Sequence, residues 1–170
     1  ALVNITKNPF SEPISVRFAE TTATENGAFV AIQKDKKKKE KDVFKASKLA
    51  AKNLEIAVIT ETFHPYTALE KEEDIKIAKD GVYRAIPVKL GVEIAVAEDF
   101  VKGAVEVGDA VKPVANGHQV EKSADGTDAI GYVIGKPVLN GQKSVEISLY
   151  NLVSDIDMNT DLKTLALDIL

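Results

Sequence analysis

Apolar and polar residues alternate with a period of two along much of this chain, the spacing of strands that bury one face. Ile14, Val16 and Phe18 alternate with Ser15, Arg17 and Ala19, and Ala28, Val30 and Ile32 repeat the pattern. Asn26-Gly27 lies between these runs and accepts the positive φ angles of a tight turn, so a hairpin is predicted across it. The longest alternation runs from Val82 to Val96, where every even position except Arg84 is a branched aliphatic. Its odd positions, Tyr83, Lys89 and Glu93 among them, form a wetter face. Pro87 and Gly91 interrupt this run and predict a bend or bulge, with Pro87 favouring an edge or a break. Shorter runs follow at 110–114, 118–121, 130–134 and 145–149. Five Asn-Gly or Asp-Gly pairs punctuate the chain, at residues 26, 80, 116, 125 and 140. Short strands separated by glycine turns predict a mainly β fold, a small antiparallel barrel or sandwich.

Three regions depart from the alternation. Residues 1–13 read as an extended N-terminal arm ahead of a β-rich domain at 14–150. Within that domain, residues 34–53 read as a charged loop and a short helix, and 104–150 as the hairpins of a small barrel. Lys34 to Asp42 holds six lysines against three acids, a net of +3. That run is expected to be a solvated loop, with a basic contact for an acidic partner as the alternative. The segment VFKASKLAAKN at 43–53 has an alanine-rich middle that suggests the helix. Residues 151–170 form a tail whose Leu162, Leu165, Ile169 and Leu170 are spaced as one helical apolar stripe, with Asp161 placed to cap it. The tail can dock on its own barrel or on a neighbouring subunit, and the arm invites the same two readings. The candidate partner contacts are therefore Leu2, Val3 and Ile5 in the arm, Phe63 and Tyr66 in a central Phe-His-Pro-Tyr cluster, and Leu162, Leu165, Ile169 and Leu170 in the tail.

Composition changes this picture mainly by exclusion. The 170 residues carry a net charge of −4, which argues against a nucleic-acid binder working through bulk charge. No apolar run approaches the roughly 20 residues that span a bilayer, so no membrane partner is expected. The N-terminus lacks a basic start followed by an apolar core, so no secretory signal is expected, although a cleaved mature form would look the same. Absence of cysteine excludes disulfides, thiolate metal sites and a cysteine nucleophile. There is no GxxxxGK[ST], no GxGxxG opening a helix and no GxSxG. His64 precedes a proline and His118 follows the Asn116-Gly117 turn, and neither has a partner at metal-ligand spacing. Both are expected to be solvated loop histidines. The acids Glu70, Glu72, Glu73 and Asp74 read as a charged loop, and Asp125-Gly126-Thr127-Asp128 as a turn before a strand. No catalytic residue, no cofactor and no metal ligand emerges, and the chain is expected not to be an enzyme.

Residues 105–150 add a resemblance. Val105-Glu106-Val107-Gly108-Asp109-Ala110-Val111 leads through Pro113 to the Asn116-Gly117 turn, then Ile130-Gly131-Tyr132-Val133, then a strand at 144–150. This order resembles the small β-barrel proteins that decorate tailed-bacteriophage capsids, in which a GD-x-V turn precedes a hairpin and an IG-x-V strand. It covers about a third of the chain by this count. GDAV also occurs in lipoyl-type carrier domains, but no lysine here sits at a suitable hairpin tip. The resemblance implies a virion structural protein on the exterior of the phage head, with the major capsid protein as partner. It also implies a symmetric homo-oligomer, a trimer; that no nucleic-acid partner is expected follows from the charge. Competing readings are another phage structural component (head fibre or tail), a β-barrel binding module for a glycan or single-stranded nucleic acid, and a hydrolase using the acids near Glu70 with a histidine.

Overall fold

The computed structural model describes residues 3–8, 12–34, 43–50, 55–61 and 76–150. The first half contributes strands β1 (Val3–Lys7), β2 (Ile14–Phe18), β3 (Thr24–Glu25), β4 (Phe29–Lys34), β5 (Val43–Ser47), β6 (Ile56–Ile59) and β7 (Lys76–Ile77). The second contributes β8 (Val82–Pro87), β9 (Glu93–Ala97), β10 (Val101–Lys102), β11 (Ala110–Pro113), β12 (Val120–Lys122), β13 (Gly131–Gly135), β14 (Val138–Leu139) and β15 (Gln142–Leu149). The predicted mainly β class is what the structure has.

Five strands close into a barrel in the order β2-β5-β4-β6-β8. Neighbours run antiparallel except β2 and β5, which are parallel. Closure leaves the barrel no free strand edge. Val16, Phe18, Val30, Ala46, Ala57, Ile59 and Ala85 fill it, with Ile77 joining from β7. A second sheet runs β1-β9-β15-β13-β11-β12-β10, with β14 paired to β15, while β3 and β7 form a separate two-stranded ribbon.

The outer face of the barrel packs on this sheet. Phe29, Ile56, Val58, Ile86 and Val88 belong to one cluster with Ile94, Val96, Val111, Val133, Val145, Ile147 and Leu149. That explains β6, whose four residues Ile-Ala-Val-Ile are all buried. Ala57 and Ile59 face the barrel interior, and Ile56 and Val58 face the sheet. A strand covered on both faces reads as an unbroken apolar run.

Several local expectations change once the pairing is known. The turn at Asn26-Gly27 forms, with Ala28 N–H donating to the Glu25 carbonyl at 3.3 Å and Gly27 at φ 97°. It does not join β2 to β4; β2 pairs with β5 and β8 instead. The side chain of Asn26 accounts for this, since its amide donates to Glu61 O at 3.0 Å and its carbonyl accepts from Glu61 N at 2.8 Å, tying the turn to the end of β6. The alternation at 82–96 breaks into β8 and β9 at Leu90-Gly91, where Gly91 takes φ 90°. Its even positions are not one buried face: Val82 is 47% exposed and Leu90 75%, whereas Ala85 is buried at 0%. Residues 43–47, read as the start of a short helix, form β5, because Phe44 and Ala46 supply apolar contacts between two barrel strands. Residues 51–53 of that helix lie outside the described residues, as does the tail at 151–170. Residues 3–7, read as an arm, form the edge strand β1, with Val3 opposite Val96 and Ile5 opposite Ile94.

Candidate interaction surface

The two segments that carry the capsid-protein resemblance meet in space. Gly108 N–H donates to Val133 O at 2.8 Å, and Val133 N–H donates back to Asp109 O at 2.9 Å. The antiparallel pairing continues through Ala110 opposite Tyr132 and Val111 opposite Gly131. Asp109 closes the turn itself: its carboxylate accepts from Glu106 N–H at 2.8 Å, and its own N–H donates to Glu106 O at 3.0 Å. Gly108 sits at φ 95°, a conformation glycine adopts without steric cost. The Glu106 backbone bond, with the Lys122 ammonium 3.4 Å away, holds the Asp109 carboxyl below its ordinary pKa. Gly-Asp is therefore a rigid entry into β11 and a clasp on β13.

Beside this clasp the sheet turns a polar face outward. Asn4 and Glu146 flank the buried Ala95 there, and next to them lie Tyr132 and Ser148. Thr6 on β1 donates its hydroxyl to Glu146 Oε1 at 2.9 Å. Tyr132, 44% exposed, lies with its ring centroid 6.1 Å from that of Tyr150. Partial burial, followed by the neighbouring Tyr132, raises the Tyr150 pKa. Val107 and Val138 are also well exposed.

The barrel meets the sheet through a loop as well as through side chains. The β11–β12 loop lies on the barrel: Leu49 N–H donates to Gly117 O at 2.9 Å, Asn116 N–H to Leu49 O at 2.8 Å and Phe29 N–H to His118 O at 3.1 Å. His118 is not the solvated residue expected from its place after a turn. Its Nδ1 is 3.0 Å from Phe29 O, an acceptor, so Nδ1 carries the proton in that bond. Its ring centroid lies 5.5 Å from that of Phe18. Burial pushes the His118 pKa below 6.5; the Phe29 bond and Glu20 oppose that push, and Lys48 adds to it.

The folded chain therefore takes up this proton at lower pH than the unfolded chain. Between the ordinary value of 6.5 and the lower folded one, the unfolded state holds more protons, so stability falls as pH falls through that window. Urea titrations between pH 7.5 and 5 are expected to register the loss, and His118→Gln to flatten it. Equal slopes for the two proteins would remove His118 as the cause.

No protein-family model matches the chain, and no curated protein matches it. Among solved structures, the head fiber gp8.5 N base in bacteriophage phi29 is similar at 11% identity, with a TM-score of 0.46, over 84% of this chain and 96% of that one. No residue role crosses at that identity.

Of the contacts expected from the sequence, the described residues contain Val3 and Ile5. Val3 packs against the joint core. Ile5, 37% exposed, sits on the edge strand, whose outer backbone groups face away from β9. Leu2, Phe63, Tyr66, Leu162, Leu165, Ile169 and Leu170 lie outside the described residues, as do His64 and the acids at 70–74. Asp125 does form a turn, its Oδ1 accepting from Thr127 N at 3.1 Å and Thr127 Oγ1 at 2.9 Å. Among the described residues no cluster of three or more histidines and carboxylates is arranged to hold a metal ion. Val133 was read only as part of the motif and His118 only as a solvated loop histidine; the bonds of the first to Gly108 and Asp109 and of the second to Phe29 were not foreseen. Only the spacing of GDAV and IGYV hinted at the first, and nothing local marked the second.

Proposed function

We propose that this chain is a capsid decoration protein of a tailed phage, a virion structural protein that binds the outside of the head and bridges capsid subunits. The observation that carries the reading is the clasp. The Gly108–Val111 and Gly131–Val133 segments, whose order in the sequence resembles decoration proteins, are bonded to each other as one unit.

Other features suit a protein that holds neighbours. Among the described residues β1 has no neighbour on its outer side, an edge that a partner strand can extend by backbone hydrogen bonds. The outward face around Tyr132 and the exposed Val107 and Val138 supply side-chain contacts at other points. Individually weak contacts sum when one protein touches several subunits of a lattice. The major capsid protein is the partner in this reading, and a symmetric trimer is the assembly. No cofactor and no reaction enter into it.

The test is to mix purified protein with expanded, undecorated heads and separate bound from free by sedimentation. Binding is expected to saturate at a fixed ratio to capsid subunits and to raise the temperature at which the shell comes apart. No saturable binding and no gain in shell stability would overturn the proposal.

A further inference from the structure

Three asparagines precede a glycine in this chain, Asn26, Asn116 and Asn140, and the fold holds each pair differently. An Asn-Gly pair carries its own reagents. The glycine nitrogen, with no Cβ beside it, can attack the asparagine Cγ when its N–H is not already donating and the backbone between the two residues can turn. At Asn26 both conditions fail. Its side chain is buried and bonded to the Glu61 backbone through its amide at 3.0 Å and its carbonyl at 2.8 Å, and the Gly27 N–H donates to Ile59 O at 2.8 Å. At Asn116 the reacting groups are free and the frame is held. Among the described residues neither its side chain nor the Gly117 N–H makes a hydrogen bond. Asn116 N–H, however, donates to Leu49 O at 2.8 Å, and Gly117 O accepts from Leu49 N–H at 2.9 Å, so turning the bond between them must lift the loop from the barrel.

At Asn140 neither the reacting groups nor the frame is held. Asn140 and Gly141 are exposed, and among the described residues neither the Asn140 side chain nor the Gly141 N–H makes a hydrogen bond. The hairpin that carries them is short, since β14 has two residues and pairs only as Val138 with Lys143 and Leu139 with Gln142. Opening so few pairs costs far less than opening a core strand. Beneath the tip, the Ser144 N–H and hydroxyl both donate to Pro137 O, at 3.0 and 2.6 Å, so the base of the hairpin stays fastened when the tip opens.

We propose that Asn140–Gly141 is a site of spontaneous covalent modification, at which asparagine converts to aspartate and isoaspartate while the rest of the fold stays intact. The Gly141 nitrogen gives its proton to hydroxide and attacks Asn140 Cγ. The new C–N bond closes a five-membered succinimide, and the side-chain nitrogen leaves as ammonia, taking a proton from water. Water then adds to either ring carbonyl. Breaking the bond to the side-chain carbonyl gives aspartate; breaking the bond to the main-chain carbonyl gives isoaspartate, whose backbone is one carbon longer. Either product adds one negative charge to the hairpin that presents the exposed Val138. The inference does not depend on the capsid reading, and its test needs no capsid. The full chain is kept warm at mildly alkaline pH, and peptide mapping by mass spectrometry follows the amide-to-acid change at each asparagine. A parallel sample in concentrated urea reports the same three pairs without the fold. In the folded protein Asn140 is expected to convert roughly tenfold faster than Asn116 and at least about a hundredfold faster than Asn26. In urea the three rates are expected to agree within a few-fold. Equal rates in the folded protein would overturn the proposal, and so would the same excess at Asn140 in urea, because the sequence around it would then set the rate. The urea midpoint of the converted protein is expected to match that of fresh protein. A midpoint that falls as conversion proceeds would overturn the confinement of the change to the hairpin tip.

Discussion

Replacing Gly131 by alanine is expected to destabilise the fold by about 1–3 kcal/mol, and replacing it by valine by more, because neither side chain has space between the strands. Gly131 pairs on one side with Val111 and on the other with Leu149. A Cβ at this position would lie 2.5 Å from the Ser148 carbonyl oxygen and 2.9 Å from Ile147 Cγ2. The first obstacle is backbone, which cannot move aside as a side-chain tip can. Relief requires β13 and β15 to separate, and β13 also carries the clasp to Asp109 through Val133. Gly117→Ala is the matched control. It sits in the β11–β12 loop where that loop crosses the barrel, and a Cβ there meets nothing within 4 Å. Its effect is expected to stay within about 0.5 kcal/mol. Urea midpoints for the two variants decide the matter. Equal losses would mean that the close approach at Gly131 is not what requires glycine.

Gly131 also marks where the sequence was readable. The resemblance put a glycine in the I-G-x-V strand, and the Ser148 carbonyl supplies the reason for it. The alternation correctly gave strands and the break near Gly91. It failed on partners, since β2 pairs with β5 and β8 across long stretches of chain, and no local pattern encodes such pairing. The Asn-Gly and Asp-Gly pairs illustrate the difference. At Asn140-Gly141 both residues take positive φ, 47° and 80°, and the turn joins β14 to β15 with Leu139 opposite Gln142. Asp80 uses positive φ to redirect the chain from β7 to β8, which do not pair, whereas Asn116 sits in the longer loop that joins the paired strands β11 and β12. A two-residue turn motif predicts the bend and not what lies on either side of it. The second misreading was of faces. Ala85 fell on the side of 82–96 read as wetter, yet in a barrel pressed against a sheet both sides are interior. For the surface, Ile5, expected as a contact, lies on the edge strand β1 and is 37% exposed. Phe44 was not legible as a barrel residue, because the alanine-rich segment that contains it reads as helix.

Phe29→Ala is expected to cost about 3–5 kcal/mol and to lower the stability of barrel and sheet together. Phe29 is fully buried, and its ring belongs to the cluster that the two layers share. Its backbone is fixed from the sheet side, with its N–H donating to His118 O and its carbonyl accepting from His118 Nδ1. The loss is a large share of the roughly 5–15 kcal/mol by which native domains are stable. In thermal terms it corresponds to a fall in midpoint of roughly 6–20 °C for a chain of this size. The more informative outcome is how the loss is distributed. The barrel interior, with Val16, Phe18, Val30 and Ile59, does not include Phe29. If that interior sustained the barrel alone, a barrel signal from Tyr83 would hold its midpoint while a sheet signal from Tyr132 fell. The shared cluster argues otherwise, because Ile56, Val58, Ile86 and Val88 lose their cover once the sheet departs. Resonances of the two tyrosines, followed by NMR through a urea titration, are expected to shift by the same amount in Phe29→Ala with unchanged slope. Separate midpoints would show two units joined at a surface. A common one would mean that the barrel presents the sheet, and with it the Gly108–Val133 clasp, as a single rigid body.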